Sequence, residues 1–249
     1  MKGAILLYGI TRGNGKVVSE SLESAIYSKL KTAAHELTIY QHVFEVDSID
    51  NPRSKVGEHG TEIEDKKDWK HFNATQTIFE NQTKYDLDTD WDDVLSDCNI
   101  HFKCGHSISN LKNMYRQMHS LETVYGMIEN KSAYDYYFIL RQDLLYTLTE
   151  NDKMLDSINN IQGNKTPCVD VPGWGAPYGV NDRIAITNKT GADVYCNRWR
   201  YINTCPEGVS SEVFLEHVLN NTNTKHNKFR QVGKRLRANG EIEKYDKKL

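Results

Sequence analysis

Asp143 is the carboxylate best placed in this sequence to meet a substrate. It follows an apolar run, Tyr134 to Leu140, that reads as a buried strand, and open α/β sheets bind ligands beyond the carboxyl ends of their strands. A magnesium or manganese ion there needs only one or two protein carboxylates when a substrate diphosphate supplies further oxygens. Arg141 stands two residues earlier, on the same side of an extended chain, and can pair with Asp143 or with phosphate oxygens. A structural Arg-Asp ion pair at a strand end accounts for the same spacing.

Two further acids suit proton transfer. Asp182 stands at the entry to a short strand, Arg183 to Ile186, after the Gly- and aromatic-rich loop Pro172 to Gly179; Glu212 follows Ser210 and Ser211 at a helix start. A loop carboxylate can take a proton from an acceptor hydroxyl, and Trp174 and Tyr178 offer faces that stack on sugar rings. Local structure explains both acids as well: Asp182 as a turn residue bonding its own backbone, Glu212 as a first-turn acid favoured by the helix dipole.

The loop Gly9 to Lys16 invites comparison with a P-loop, but five residues separate Gly9 from Gly15 where four are required, and Val17 replaces the magnesium-binding Ser or Thr. What survives is a Gly-rich turn at a helix N-terminus, with Arg12 and Lys16 available to a phosphate, or else a βα turn with solvated charges. The run Asp86 to Asp93 holds DxD triplets, yet a calcium loop would put Trp91 where Gly is needed and Asp97 in place of Glu, so it reads as a solvated helix start. Cys98, His101, Cys104 and His106 crowd four potential zinc ligands closer than structural zinc sites usually do, and no metal is expected there. The basic segment from Lys225 to Arg237 reads as solvated surface.

These groups need a scaffold, and the apolar pattern supplies one. Gly3 to Tyr8 is a continuous apolar run suited to a central strand; Val18, Leu22, Ile26 and Leu30 mark an amphipathic helix; Leu37 to Val46 reads as a second strand. That βαβ order predicts a parallel sheet. Residues 47–97 turn polar, with only Trp69 to Phe79 hinting at a helix, and read as an insertion over the sheet. Ser107 is the expected N-cap of a helix carrying Leu111, Met114, Met118, Leu121 and Tyr125. Short strands follow near Thr166 to Val171 and Arg183 to Ile186, with helices over Gly191 to Tyr201 and Ser211 to Asn220.

Composition excludes several classes. Lys and Arg number 31 against 34 Asp and Glu, a balance unlike that of a dedicated nucleic-acid binder. No apolar run approaches the roughly 20 residues of a membrane span, and the start lacks a signal-peptide core. Five cysteines without a CxxC pair imply reduced thiols and a cytoplasmic location.

In order and spacing, the pieces resemble a family of small glycosyltransferases with the GT-A-type fold, including those encoded by large DNA viruses that infect algae. The resemblance is carried by Leu6 to Arg12, Asn113 to Met118, Tyr134 to Leu145, Val180 to Ile186 and Ser211 to Leu215. It implies an α/β fold with a Rossmann-type, mixed but mostly parallel central sheet flanked by helices, here one domain over 1–249 with the insertion at about 47–97. It further implies transfer of a sugar from a nucleotide-sugar donor, UDP-linked for instance, to a glycan or glycoprotein hydroxyl, in host cytoplasm if the chain is viral. By the resemblance, Tyr8, Gly9, Thr11 and Arg12 contact the nucleotide, Gln117 faces the donor, and Asp143 takes the place of the acid that binds Mn2+ or Mg2+. The family's DxD departs here in having Arg141 at the first acid, so Arg141 can itself neutralise the leaving diphosphate. Asp182 is the first candidate for the base and Glu212 the second; without either, a retaining mechanism is favoured. Two other classes remain: a non-catalytic carbohydrate- or nucleotide-binding module of the same fold, and a phosphoryl- or sulfuryl-transfer enzyme, against which the failed P-loop spacing counts.

Overall fold

The structure is a computed structural model and describes residues 1–49, 51, 54, 56, 58, 60–96, 108–149, 153–174, 179–205 and 210–247. Strand β1 (Lys2–Tyr8) is buried from Gly3 onward. Its apolar residues alternate between two cores, Ala4, Leu6 and Tyr8 toward one face and Ile5 and Leu7 toward the other. The run of i, i+4 apolar residues forms α1 (Gly15–Leu22), a π-type stretch over Glu23–Tyr27 and α2 (Ser28–Thr32). Strand β2 (Glu36–Glu45) then pairs parallel to β1, as the βαβ pattern predicts.

The polar segment is more ordered into the sheet than its composition suggests. A small antiparallel pair, β3 (Ser48–Ile49) and β4 (Thr61–Glu62), precedes a 3-10 turn over Asp68–Phe72 and strand β5 (Gln76–Asn81). The expected helix over Trp69 to Phe79 is therefore corrected: Asn73 adopts φ 49°, which ends the turn, and the following residues pair parallel with β2 at the sheet edge. Helices α3 (Gln82–Asp88) and α4 (Trp91–Ser96) use the acidic run locally. Asp86 accepts two hydrogen bonds from Arg116, at 2.8 and 2.7 Å, and Asp90 accepts from the backbone N–H groups of Asp92 and Asp93. The expected N-cap Ser107 and the Cys98, His101, Cys104 and His106 cluster lie outside the described residues.

The remaining elements are α5 (Ile108–Gly126), β6 (Tyr136–Arg141), β7 (Leu144–Thr147), α6 (Met154–Ile161), β8 (Cys168–Pro172), β9 (Ile184–Thr187), α7 (Lys189–Cys196), α8 (Ser211–Asn221), β10 (Lys225–Phe229) and β11 (Val232–Arg235). The helix expected over Gly191 to Tyr201 breaks at Asn197 and continues as a 3-10 segment over Arg198–Thr204. Among the described residues seven strands form one mixed, mostly parallel sheet in the order β10-β8-β9-β6-β1-β2-β5. Only β9 runs against its neighbours β6 and β8. Residues of α5, α7 and α8 pack on one face, and those of α1, α2 and α6 on the other. Among the described residues no helix is long and apolar enough to cross a membrane.

The basic C-terminal segment is solvated at Lys225, Lys228 and Arg230, as expected, and is corrected to framework at Arg235 and Arg237. It supplies the edge strand β10, and β11 pairs antiparallel with β7 so that Arg235 stands opposite Leu144, the residue after Asp143. Arg237 is only 5 % exposed.

Candidate active site

Pairing brings the ends of three strands together. Because β1 and β6 are parallel, Tyr8 lies opposite Arg141 at their carboxyl ends; because β9 is antiparallel to β6, its first residue Ile184 lies opposite Leu140. Asp182 and Arg183 thus enter the space that Asp143 occupies. A cavity of about 430 Å³ opens there, lined by Tyr8, Gly9, Arg12, Gln117, Arg141, Asp143, Asp182 and Glu212 among others.

Arginine dominates this cavity: among the described residues six arginines and four carboxylates line it, and no lysine does. Asp143 anchors the arrangement. Arg141 donates from Nε to Oδ1 at 2.9 Å and from Nη2 to Oδ2 at 2.7 Å, and Arg12 donates from Nε to Oδ2 at 3.0 Å. Burial by itself would raise the Asp143 carboxyl pKa, but Arg141 and Arg12 hold it well below the usual carboxylate range. Arg12 also pairs with Glu58, a fully buried carboxylate from the polar segment. Glu58 further accepts from the Ala238 N–H at 2.9 Å and lies 3.5 Å from Arg237, which is held by Glu243 at 2.7 Å.

A divalent metal does not fit on Asp143. Both carboxylate oxygens accept guanidinium N–H groups, so an ion would have to displace Arg12 and Arg141 and sit beside their positive charge. Gln142, between the two charged residues, turns away into the sheet, donating to the His42 carbonyl at 2.7 Å and accepting from Gln41 at 2.6 Å.

The Gly-rich loop does not present an open phosphate cradle. Asp68 accepts from Thr11 Oγ1 and from the Gly15 N–H, at 3.0 Å for the latter, and so occupies the α1 N-terminus with a carboxylate of the protein itself. A Cβ at Gly15 would lie 2.1 Å from the Asp68 carbonyl oxygen, which is why only glycine fits. Thr11 is consequently turned to Asp68 and does not line the cavity, and Lys16 is exposed outside it.

Asp182 is locked in place by its backbone. Its carbonyl oxygen accepts the hydroxyls of Tyr8 and Tyr195 at 3.0 and 2.9 Å, and Asn181 Oδ1 accepts the Arg183 N–H at 3.0 Å. Gln117, reaching from α5, donates to Asp182 Oδ2 at 3.1 Å. Burial would raise the Asp182 pKa, but Arg183, Arg141 and Arg198 outweigh it and hold the carboxyl below its ordinary value. Glu212 sits in the first turn of α8, whose N-cap Ser210 accepts from the Val213 N–H. It is 4.0 Å from Arg183 and less enclosed than Asp182. The two are kept adjacent by Gly179: the Val180 N–H donates to the Glu212 carbonyl at 3.1 Å, and a Cβ at Gly179 would meet that oxygen at 2.5 Å.

Arg183 is buried, and among the described residues its Nη1 has no hydrogen-bond partner. Burial and the nearby Arg235 depress its pKa, the signature of positive charge without enough compensation. Trp174 does not line the cavity: its ring lies under the Arg183 guanidinium at 5.4 Å and its indole N–H donates to the Gln231 carbonyl. Tyr178 lies outside the described residues. The exposed aromatic on the cavity rim is instead Tyr245, 69 % exposed. Glu58, Arg235, Arg237 and Glu243 carry no motif, and Arg183 lies within the Val180 to Ile186 stretch without being singled out there; the one further signal is the recurrence of Arg at alternate positions, 235 and 237, beside a strand.

No protein-family model and no curated protein sequence matches the chain. Among solved structures it is similar to apo mouse xyloside xylosyltransferase 1, with 9 % identity over 92 % of this chain and 85 % of that one and a TM-score of 0.45. It is also similar to the apo form of the glycosyltransferase GlyE of Streptococcus pneumoniae TIGR4, with 10 % identity, 90 % and 44 % of the two chains covered and a TM-score of 0.41. A third is a glycosyltransferase involved in the glycosylation of the major capsid of PBCV-1, with 7 % identity, 91 % and 81 % coverage and a TM-score of 0.40.

Proposed function

We propose that the chain is a glycosyltransferase that moves a sugar from a nucleoside-diphosphate donor to a glycan or glycoprotein hydroxyl, with guanidinium groups balancing the departing diphosphate. The observation that carries this reading is the buried Arg183 Nη1, unpartnered in an arginine-lined cavity at the carboxyl ends of β1 and β6. Arginine presents its donors in a fixed planar fork that suits phosphate oxygens; Arg183 brings the open donor, while Arg141 and Arg235, whose Nε and Nη2 are held by Asp143 and Asp246, add positive charge and their remaining Nη1 groups.

In the reaction, the acceptor oxygen bonds to the anomeric carbon as the bond from that carbon to the diphosphate oxygen breaks, and the hydroxyl proton passes to Glu212. Glu212 suits this better than Asp182, because three arginines that hold Asp182 ionised also make it a weak proton acceptor. Asp182, oriented by Gln117, then serves as a fixed negative charge beside the oxocarbenium-like centre. Tyr245 offers a stacking face for the acceptor sugar.

The test is thermal stabilisation by UDP-, GDP- and dTDP-sugars. A donor at one hundred times its Kd contributes about 2.7 kcal/mol. At about 2–4 °C per kcal/mol for a chain of this size, that raises Tm by about 5–10 °C. One nucleotide class is expected to give this shift, equally with and without added manganese, and Arg183→Gln to lose most of it. No shift with any donor would overturn the reading; a shift without turnover would leave a nucleotide-sugar-binding module.

A further inference from the structure

A second polar cluster lies behind the cavity floor and takes no part in the chemistry above. His42 on β2, Glu80 on β5 and His119 on α5 converge, although 77 residues separate the first from the last along the chain. Both imidazoles aim Nε2 at the same carboxylate oxygen, Glu80 Oε2, at 3.2 Å from His42 and 2.7 Å from His119. The three ligand atoms lie within 4.8 Å of one another, and this is the group of that kind among the described residues.

We propose that His42, Glu80 and His119 form a zinc site of the His2Glu type, with a fourth position open to solvent. A tetrahedral ion with bonds of about 2.0–2.1 Å sets its ligand atoms about 3.3–3.4 Å apart; the 3.2 Å from His42 Nε2 to Glu80 Oε2 is close to this, and the 2.7 Å from His119 Nε2 to the same oxygen must lengthen as the ion enters. Zinc needs neutral imidazole and ionised carboxylate. His42 is fully buried, whereas Glu80 and His119 are 29 % and 28 % exposed, leaving the open side of the cluster to water.

The surroundings supply the orienting hydrogen bond that metal-bound histidines have. His42 Nδ1 lies 2.7 Å from Ser120 Oγ, and that oxygen also accepts the Gly9 N–H at 2.8 Å. With Nε2 on the ion, Nδ1 carries the proton and donates to Ser120, whose two lone pairs then serve His42 and Gly9 together. Phe44 and Tyr85 wall the cluster, with ring centroids 5.0 Å from His42 and 4.5 Å from His119 respectively. The ion would join the edge strand β5 and helix α5 to β2, and through Ser120 steady Gly9 at the cavity floor. This inference is independent of the proposed transferase activity.

The experiment uses the full chain, loaded with Zn2+ or Co2+ alone and dialysed. One metal per chain is expected, and the cobalt form is expected to show the intense visible bands of a tetrahedral ion with no thiolate charge-transfer band in the near ultraviolet. Glu80→Gln and His119→Gln are each expected to weaken zinc at least a hundredfold, and Ser120→Ala about 10- to 100-fold while circular dichroism stays unchanged. Absence of stoichiometric binding by the wild-type chain would overturn the proposal. So would a thiolate band, which would assign the metal to Cys98 and Cys104, or unchanged affinity in Glu80→Gln. Should a ligand variant fail to fold, the wild-type cobalt spectrum and the Ser120→Ala affinity still decide.

Discussion

Replacing Asp143 by asparagine is expected to destabilise the protein by about 3–5 kcal/mol, the cost of breaking a buried ion pair by removing one partner. The side chain is 3 % exposed and bonds two guanidinium groups that are themselves only 20 % and 10 % exposed, so the orphaned charges cannot simply turn to water. At about 2–4 °C per kcal/mol the Tm falls by roughly 6–20 °C. Equilibrium denaturation should show a lower midpoint with an unchanged slope, since the surface exposed on unfolding is the same. The pH dependence follows from the sign of the shift. Asp143 and Asp182 both have folded pKa values depressed below the unfolded ones, so their contribution is complete above the ordinary carboxylate pKa of about 4 and is lost as pH falls through the depressed values. The wild type should therefore lose stability steeply only in acid, and Asp143→Asn should show a shallower acid limb. Wild-type stability in Asp143→Asn would mean that Arg12 and Arg141 do not depend on this carboxylate.

Glu212→Gln is expected to lower single-turnover sugar transfer by about 10²- to 10⁴-fold, the range of a lost general base. Glutamine keeps the volume and can still accept from Ser211, so donor binding and Tm should change little. Asp182→Asn should instead weaken both stability and transfer, because it removes a charge that Arg183, Arg141 and Arg198 surround. Full transfer by Glu212→Gln together with none by Asp182→Asn would reassign the base to Asp182.

Sequence patterns reveal the interior of this fold far better than its edges. β1 and β6 are legible because strands buried on both faces read as apolar runs, as Ile5 to Tyr8 and Tyr136 to Leu140 do, and β2 through its β-branched and aromatic residues. β5 and β10 are not: Gln76 to Asn81 and Lys225 to Phe229 border the sheet, are wetted on one side and carry polar residues. Position at strand ends was enough to bring Arg141, Asp143 and Asp182 under suspicion. The partners that decide their chemistry were not legible, because hydrophobic periodicity carries no information about polar contacts. Glu58 reaches the Ala238 N–H across 180 residues, and Asp68 fills the helix N-terminus that the Gly-rich loop advertises for phosphate. Two carboxylates of the polar segment, Glu58 and Asp68, are buried in the framework of the site.

The measurement that bears most directly on the central claim is release of nucleoside diphosphate from the donor that binding selects, followed with and without added magnesium or manganese. An arginine-lined site predicts release at the same rate in both conditions, strongly reduced in Arg183→Gln. Release that begins only when either ion is added, or no release from any donor, would contradict the account.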